Sequence, residues 1–129
     1  MGIRVPEPIK LKENILLMEF IGKDTIPAKR LRDVPLSVEE YSKHYVEIIK
    51  MIRTMFLQAK LVHGDLSEFN LLYWEGKIIM IDVSQTMEDN HPLAIEFLKR
   101  DLYNLNLYFI SKSVITFKLR SLFKFVTDP

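Results

Sequence analysis

Asp65 and Asn70 lie five positions apart in the run His63-Gly64-Asp65-Leu66-Ser67-Glu68-Phe69-Asn70, and Asp82 follows in Ile81-Asp82-Val83-Ser84. Two carboxylates and an amide oxygen are hard donors of the kind magnesium prefers. A carboxylate placed beside them can accept the proton of an attacking hydroxyl. Together these are the needs of phosphoryl transfer: a metal to screen phosphate charge and a base beside the nucleophile. Asp65 is the candidate base, and Asn70 and Asp82 are the candidate metal ligands. Asp-x-x-x-x-Asn alone arises often by chance, and Asp and Asn also serve simply as turn formers. The preceding His63-Gly64 and the later Asp82 make the combination more specific.

These residues need elements to hold them. Leu71 to Trp74 and Lys77 to Asp82 read as two short strands joined at Glu75-Gly76, a tight hairpin turn. A hairpin brings its ends together, so Asp65, Asn70 and Asp82 could meet around one ion. Upstream, Ser37 and Glu40 form a capping-box pattern that starts a long helix. Tyr41, Tyr45, Ile48, Ile52, Met55, Phe56 and Ala59 recur at helical spacing and predict a buried face. Pro92 suits the first turn of a second helix with Ala94, Phe97, Leu98, Leu102, Leu105 and Phe109 on its apolar face. Thr116 is the expected cap of a last helix carrying Leu119, Leu122, Phe123 and Val126. Ile15 to Phe20 reads as a buried strand, and Gly22, Pro27 and Pro35 interrupt regular structure.

Supporting side chains are less determined. His63 is read as stiffening its loop by hydrogen bonding and packing rather than as a ligand. Asp101 is either an exposed helix charge or a group that reaches the backbone of the His63 loop. His44 and His91 are read as structural or solvent-facing.

At 129 residues the chain fits one domain with a real core. A hydrophobic fraction of 48% and a formal net charge of +1 suit a soluble globular protein with no global pull toward nucleic acid or membrane. There is no cysteine, which excludes disulfides and thiol chemistry and fits a cytoplasmic setting. No apolar run approaches membrane-spanning length. The expected class is α+β, mainly helical with a small hairpin.

The His63–Asn70 run, Ile81-Asp82-Val83-Ser84-Gln85, His91-Pro92 and Phe97-Leu98-Lys99-Arg100-Asp101 resemble the RIO family of atypical protein kinases, its Rio-one branch most of all. The ending Leu122 to Pro129 is similar to the last helix of that domain. Val5-Pro6-Glu7-Pro8 through Leu17-Met18-Glu19-Phe20-Ile21-Gly22 resembles the inter-lobe strand and hinge. The resemblance implies residues 1–22 as hinge and 23–129 as a kinase-like C-terminal lobe, with the N-terminal lobe absent. It implies ATP and Mg2+, with Mn2+ as an alternative ion. Asp65 matches the catalytic aspartate and Asn70 the metal-binding asparagine. Asp82 matches the metal-binding aspartate, which in this branch also accepts a transient phosphoryl group. Met18 would back the adenine pocket, Glu19 and Ile21 would hydrogen-bond the adenine edge through their backbone, and Leu72 would form part of its apolar floor. The resemblance further implies a serine/threonine kinase or ATPase acting in maturation of the small ribosomal subunit, with its precursor particle as partner.

Departures from ordinary kinases agree with this family. Gly64 replaces the arginine of His-Arg-Asp, Ser67 stands where many kinases have lysine, and Asp82-Val83-Ser84 replaces Asp-Phe-Gly. The four glycines are scattered and build no phosphate-covering loop. The chain is therefore expected to bind nucleotide weakly and to need an N-terminal lobe for turnover. An alternative is a small-molecule phosphotransferase of the aminoglycoside or choline kinase type, against which Ser67-Glu68-Phe69-Asn70 and Val83-Ser84 argue. Another is a non-catalytic docking module, for which Lys112, Lys118, Arg120 and Lys124 offer either a basic patch or a solvated helix face.

Overall fold

The computed structural model describes residues 29–74, 76–80 and 87–129. The expectations for residues 1–22, including Met18, Glu19 and Ile21, and the placement of Asp82 lie outside them.

The three helices and the hairpin run in the expected order. Strand β1 (Lys29–Arg30) leads through a 3-10 turn (Leu31–Asp33) to helix α1 (Val38–Thr54). Ser37 caps α1 as a full capping box: its hydroxyl accepts the Glu40 N–H at 3.1 Å, and the Glu40 carboxylate accepts the Ser37 N–H at 3.0 Å. Tyr41, Tyr45, Ile48, Ile52 and Met55 are buried, and Phe56 and Ala59 pack against the same core. The α-helix does not continue through that whole stripe. Met55–Ala59 winds as a π turn that ends on Lys60 at φ 60. Widening the turn keeps the apolar face on the core while the left-handed Lys60 redirects the chain into β2 (Leu61–Val62).

After the candidate catalytic loop come β3 (Leu71–Trp74) and β4 (Lys77–Met80), paired in the expected hairpin with Trp74 opposite Lys77. Gly76 sits at φ 77 in the connection, a left-handed conformation that glycine adopts without strain. β1 adds a third strand along β3, with Lys29 opposite Tyr73. A second small sheet joins β2 to β5 (Met87–Glu88), placing Val62 opposite Met87. None of the three two-residue strands carries enough pattern to be read from sequence.

Helix α2 (Ala94–Ser111) buries Ala94, Leu98, Leu102, Leu105 and Phe109. Pro92 lies in the turn before it rather than in its first helical turn. His91 does the work of the helix start: its carbonyl accepts the Ala94 N–H and its Nδ1 accepts the Leu93 N–H. Helix α3 (Leu119–Thr127) begins three residues beyond Thr116, with Lys118 at its cap and no side-chain cap bond, which corrects the Thr116 reading. What fixes the approach to α3 is tertiary: Tyr45 and Asn106 hold the Phe117 backbone instead of a local hydroxyl. α1, α2, α3 and one face of the hairpin close a single core.

Candidate active site

His63, Gly64 and Asp65 follow β2 directly, so the loop inherits its position from the Leu61–Val62 pairing with β5. His63 and Leu66 are buried at 3% and 1% exposure, while Asp65 between them is exposed. Two buried anchors therefore present one carboxylate outward. Gly64 makes the bend at φ 87. His63 Nδ1 accepts the Asp65 N–H at 3.2 Å, which puts the proton of a neutral ring on Nε2.

The loop is held from α2. Asp101 is 1% exposed, and its two carboxylate oxygens accept the Gly64 N–H at 2.8 Å and the Leu66 N–H at 3.0 Å. The neighbouring Arg100 donates through Nη2 to the Gly64 carbonyl at 2.5 Å. Asp101 thus takes the loop-stiffening role, not that of a solvent-facing helix charge. Burial pushes its carboxyl above the ordinary carboxylate range, against the opposing pull of the Leu66 and Gly64 N–H groups, His63 and Arg100. Arg100 was not singled out from sequence, because an Arg-Asp pair in a helix gives no sign of which backbone it will meet.

Asn70 ends a 3-10 turn (Glu68–Asn70) capped by Ser67. Ser67 Oγ accepts the Phe69 N–H at 3.2 Å. Asn70 Oδ1 accepts the Ser67 N–H at 3.0 Å and the Ser67 hydroxyl at 3.1 Å. Those N–H and O–H donors identify the atom as the amide oxygen. The donor chemistry of Asp65 and Asn70 suits a hard cation. An ion at Asn70 Oδ1 would take the place of the Ser67 hydroxyl proton, which can turn away while Ser67 Oγ still accepts the Phe69 N–H. Among the described residues no cluster of three or more carboxylates or histidines forms a metal site.

Leu72 stands on β3 at 8% exposure, directly opposite Ile79 at 0%. Alternation along the strands puts Leu71, Ile78 and Met80 into the helical core and turns Leu72 and Ile79 to the other sheet face. Leu72 and Ile79 do not belong to the helical core cluster. Two cations also gather at the loop: the guanidinium carbons of Arg30 and Arg32 lie 5.6 and 4.7 Å from the centre of the exposed Phe69 ring. His44 is buried, with Nδ1 2.9 Å from Glu47 and its ring edge-on to Tyr73.

A solved structure, the Rio2 kinase–ADP/Mg2+–phosphoaspartate complex from Chaetomium thermophilum, superposes with a TM-score of 0.64 at 25% identity, over 82% of this chain and 35% of that one. The helical core, the loop after β2 and the hairpin are thus a kinase-like lobe. The narrower assignment comes from sequence: the RIO domain family model matches residues 1–122, and the chain belongs to the RIO family, as a RIO1-type member. It is 49% identical over 127 residues to serine/threonine-protein kinase RIO1 of Homo sapiens, covering 98% of this chain and 22% of that protein. Its identity to serine/threonine-protein kinase rio1 of Dictyostelium discoideum is 45% over 127 residues, again 98% and 22%. Serine/threonine-protein kinase RIO3 of Homo sapiens is 44% identical over 108 residues, 84% of this chain and 21% of that one. The chain thus spans about a fifth of the length of these curated relatives.

Proposed function

We propose that the chain is the metal-binding and catalytic lobe of a RIO-type serine/threonine kinase or ATPase that transfers the terminal phosphoryl group of Mg-ATP. The observation that carries this reading is the doubly held loop. Asp101 and His63 fix the backbone on both sides of Asp65, so its exposed carboxylate is aimed without ordering on substrate arrival. In this reading Asp65 orients the attacking hydroxyl and takes its proton, and Asn70 and Asp82 hold the ion. A bound magnesium supplies charge screening between the phosphate oxygens and the developing negative charge. Asp82 also accepts the phosphoryl group: a carboxylate oxygen bonds to the terminal phosphorus as the bond to the ADP oxygen breaks. Water then attacks that phosphorus, releases the Asp82 carboxylate and gives its proton to Asp65. The phosphoaspartate named for the Rio2 complex supports this assignment. Leu72 and Ile79, together on the second sheet face, suit the floor of an adenine pocket whose hinge would be Met18, Glu19 and Ile21.

The chain spans only a fraction of its relatives, so we assign turnover to the lobe joined to an N-terminal lobe. Linkage to maturation of the small ribosomal subunit, with the precursor particle as partner and the cytoplasm as setting, is the family-level part of the proposal. Calorimetric titration of Mg-ATP into the chain, alone and with a separately expressed N-terminal lobe, tests it. The expected result is weak binding alone and strong binding with the second lobe, abolished by Asp82→Asn. Silence in both arms would sink the nucleotide reading.

A further inference from the structure

A second surface shares no residue with the catalytic loop. Val46, Ile49 and Lys50 of α1 face Ser121, Leu122 and Phe125 of α3, with Phe117 at one end, around an open groove of about 370 Å3. That volume lies in the range of about 300–1,000 Å3 typical of ligand sites. Val46, Phe117 and Phe125 keep 39%, 55% and 44% of their surface exposed, so large apolar side chains line the mouth as well as the floor. Ser121 and Phe125 also line an adjoining depression with Arg53, Lys124, Asp128 and Pro129. The two form one trough, apolar at the Phe117 end and basic at the Lys124 end.

The basic end is built, not incidental. Arg53 donates through Nε to the Phe125 carbonyl at 2.9 Å and through Nη2 to the Asp128 carbonyl at 3.2 Å. Its guanidinium carbon lies 5.0 Å from the Phe125 ring centre, so the cation and the aromatic wall are fixed together. Lys50 and Lys124 have no carboxylate within ion-pair distance among the described residues. Three cationic side chains therefore face one acidic side chain, Asp128, among the residues that line the trough. The four cations noted in sequence do not make one patch: Lys112 lies over Tyr41 and Tyr108, and Arg120 lines a separate depression with Lys99. Lys124 alone of them lines the trough.

From this charge complementarity we infer that the α1–α3 trough binds an acidic amphipathic segment of a partner protein. Two apolar side chains one helical turn apart fill the Phe117 end, and carboxylates at the segment's other end face Lys50, Arg53 and Lys124. Grooves between helices take amphipathic helices in this manner. A nucleic acid would leave the apolar floor unmatched. A second copy in a two-fold contact presents the same patch to itself, bringing three cations against three.

The test is fluorescence anisotropy on the chain with two labelled synthetic peptides. One carries a Leu-x-x-Phe pair followed by three glutamates, and the other has lysines in place of the glutamates. The acidic peptide is expected to bind, and K50E/K124E to weaken it at least about tenfold while improving the lysine peptide, since opposed rim charges select partners. Val46→Glu, which places a charge at the apolar mouth, is expected to abolish binding of both. Circular dichroism confirms that the variants are folded, and K50E/K124E alone decides if Val46→Glu is not. No binding of either peptide, equal binding of both, or a charge reversal without effect overturns the proposal. So does self-association in sedimentation velocity that Val46→Glu removes, or binding to phosphatidylserine vesicles in place of the acidic peptide.

Discussion

Asp101 and Gly64, 37 residues apart, are joined at 2.8 Å through a buried carboxylate and a buried N–H, and this bond sets where the candidate catalytic loop stands. The adjacent Arg100 grips the Gly64 carbonyl, so one peptide neighbourhood is held by two successive residues of α2. The loop therefore moves only if the helix does.

Asp101→Ala leaves the Gly64 and Leu66 N–H groups buried without their acceptor. Each lost partner costs about 1–3 kcal/mol, so a loss of roughly 2–6 kcal/mol is expected in urea unfolding. Asp101→Asn retains one acceptor oxygen and should lose about half as much. Equal stability of all three proteins would remove Asp101 from the loop's support.

The same carboxylate predicts a pH dependence. Its folded pKa is raised by burial, so the folded state holds this proton more tightly than the unfolded one. Its contribution is full below the unfolded value of about 3.9 and is lost as pH rises through the raised folded value. Thermal melts across that acidic window should show the chain losing this increment with rising pH while Asp101→Asn does not. Parallel curves would contradict the raised value.

Tyr45 offers a second test away from the site. Its hydroxyl donates to Asn106 Oδ1 at 2.7 Å and accepts the Phe117 N–H at 3.0 Å, while Asn106 Nδ2 donates to the Phe117 carbonyl at 2.9 Å. Tyr45→Phe keeps the ring but strips both bonds, so a loss of about 1–3 kcal/mol is expected by urea unfolding. Phe117 lines the trough, so the substitution should also weaken the acidic peptide.

Tyr108 is the contrasting case. Its hydroxyl is buried without a hydrogen-bond partner among the described residues, and burial followed by Tyr41 raises its pKa. Tyr108→Phe removes a desolvated hydroxyl whose only polar neighbour named among the described residues is the Tyr41 hydroxyl, so stability should hold or rise by up to about 1 kcal/mol. A clear loss of stability would reveal a partner for that hydroxyl.

Asp65→Asn keeps the loop's size and removes the proposed base. In the proposed two-lobe enzyme it should lower kcat about 100- to 10,000-fold with little change in KM for ATP. Asp101→Asn should fall in between, through loop placement, and its defect should lessen at lower temperature as the loop is held more firmly. A normal rate for Asp65→Asn would move the base elsewhere.

Features under local control were readable from the residues alone. Ser37 with Glu40 specified a capping box because both partners lie within one helical turn. Alternation around Glu75-Gly76 specified the hairpin, and helical spacing specified which faces of α1 and α2 are buried. The run from His63 to Asn70 made the RIO family legible, since its residue types and spacing are themselves the signal. Tertiary structure decided what depends on residues distant in the chain. Asp101 could equally have faced water until α2 was packed under the loop. Thr116 had the chemistry of a cap, yet Tyr45 and Asn106 fixed the chain there instead and α3 began later. The pairings of Lys29–Arg30 and Met87–Glu88 carried no pattern, because two residues are too few to show a period. The α1–α3 trough exists only because two amphipathic helices meet at an angle that leaves Val46, Phe117 and Phe125 uncovered, a property of packing that no segment holds alone.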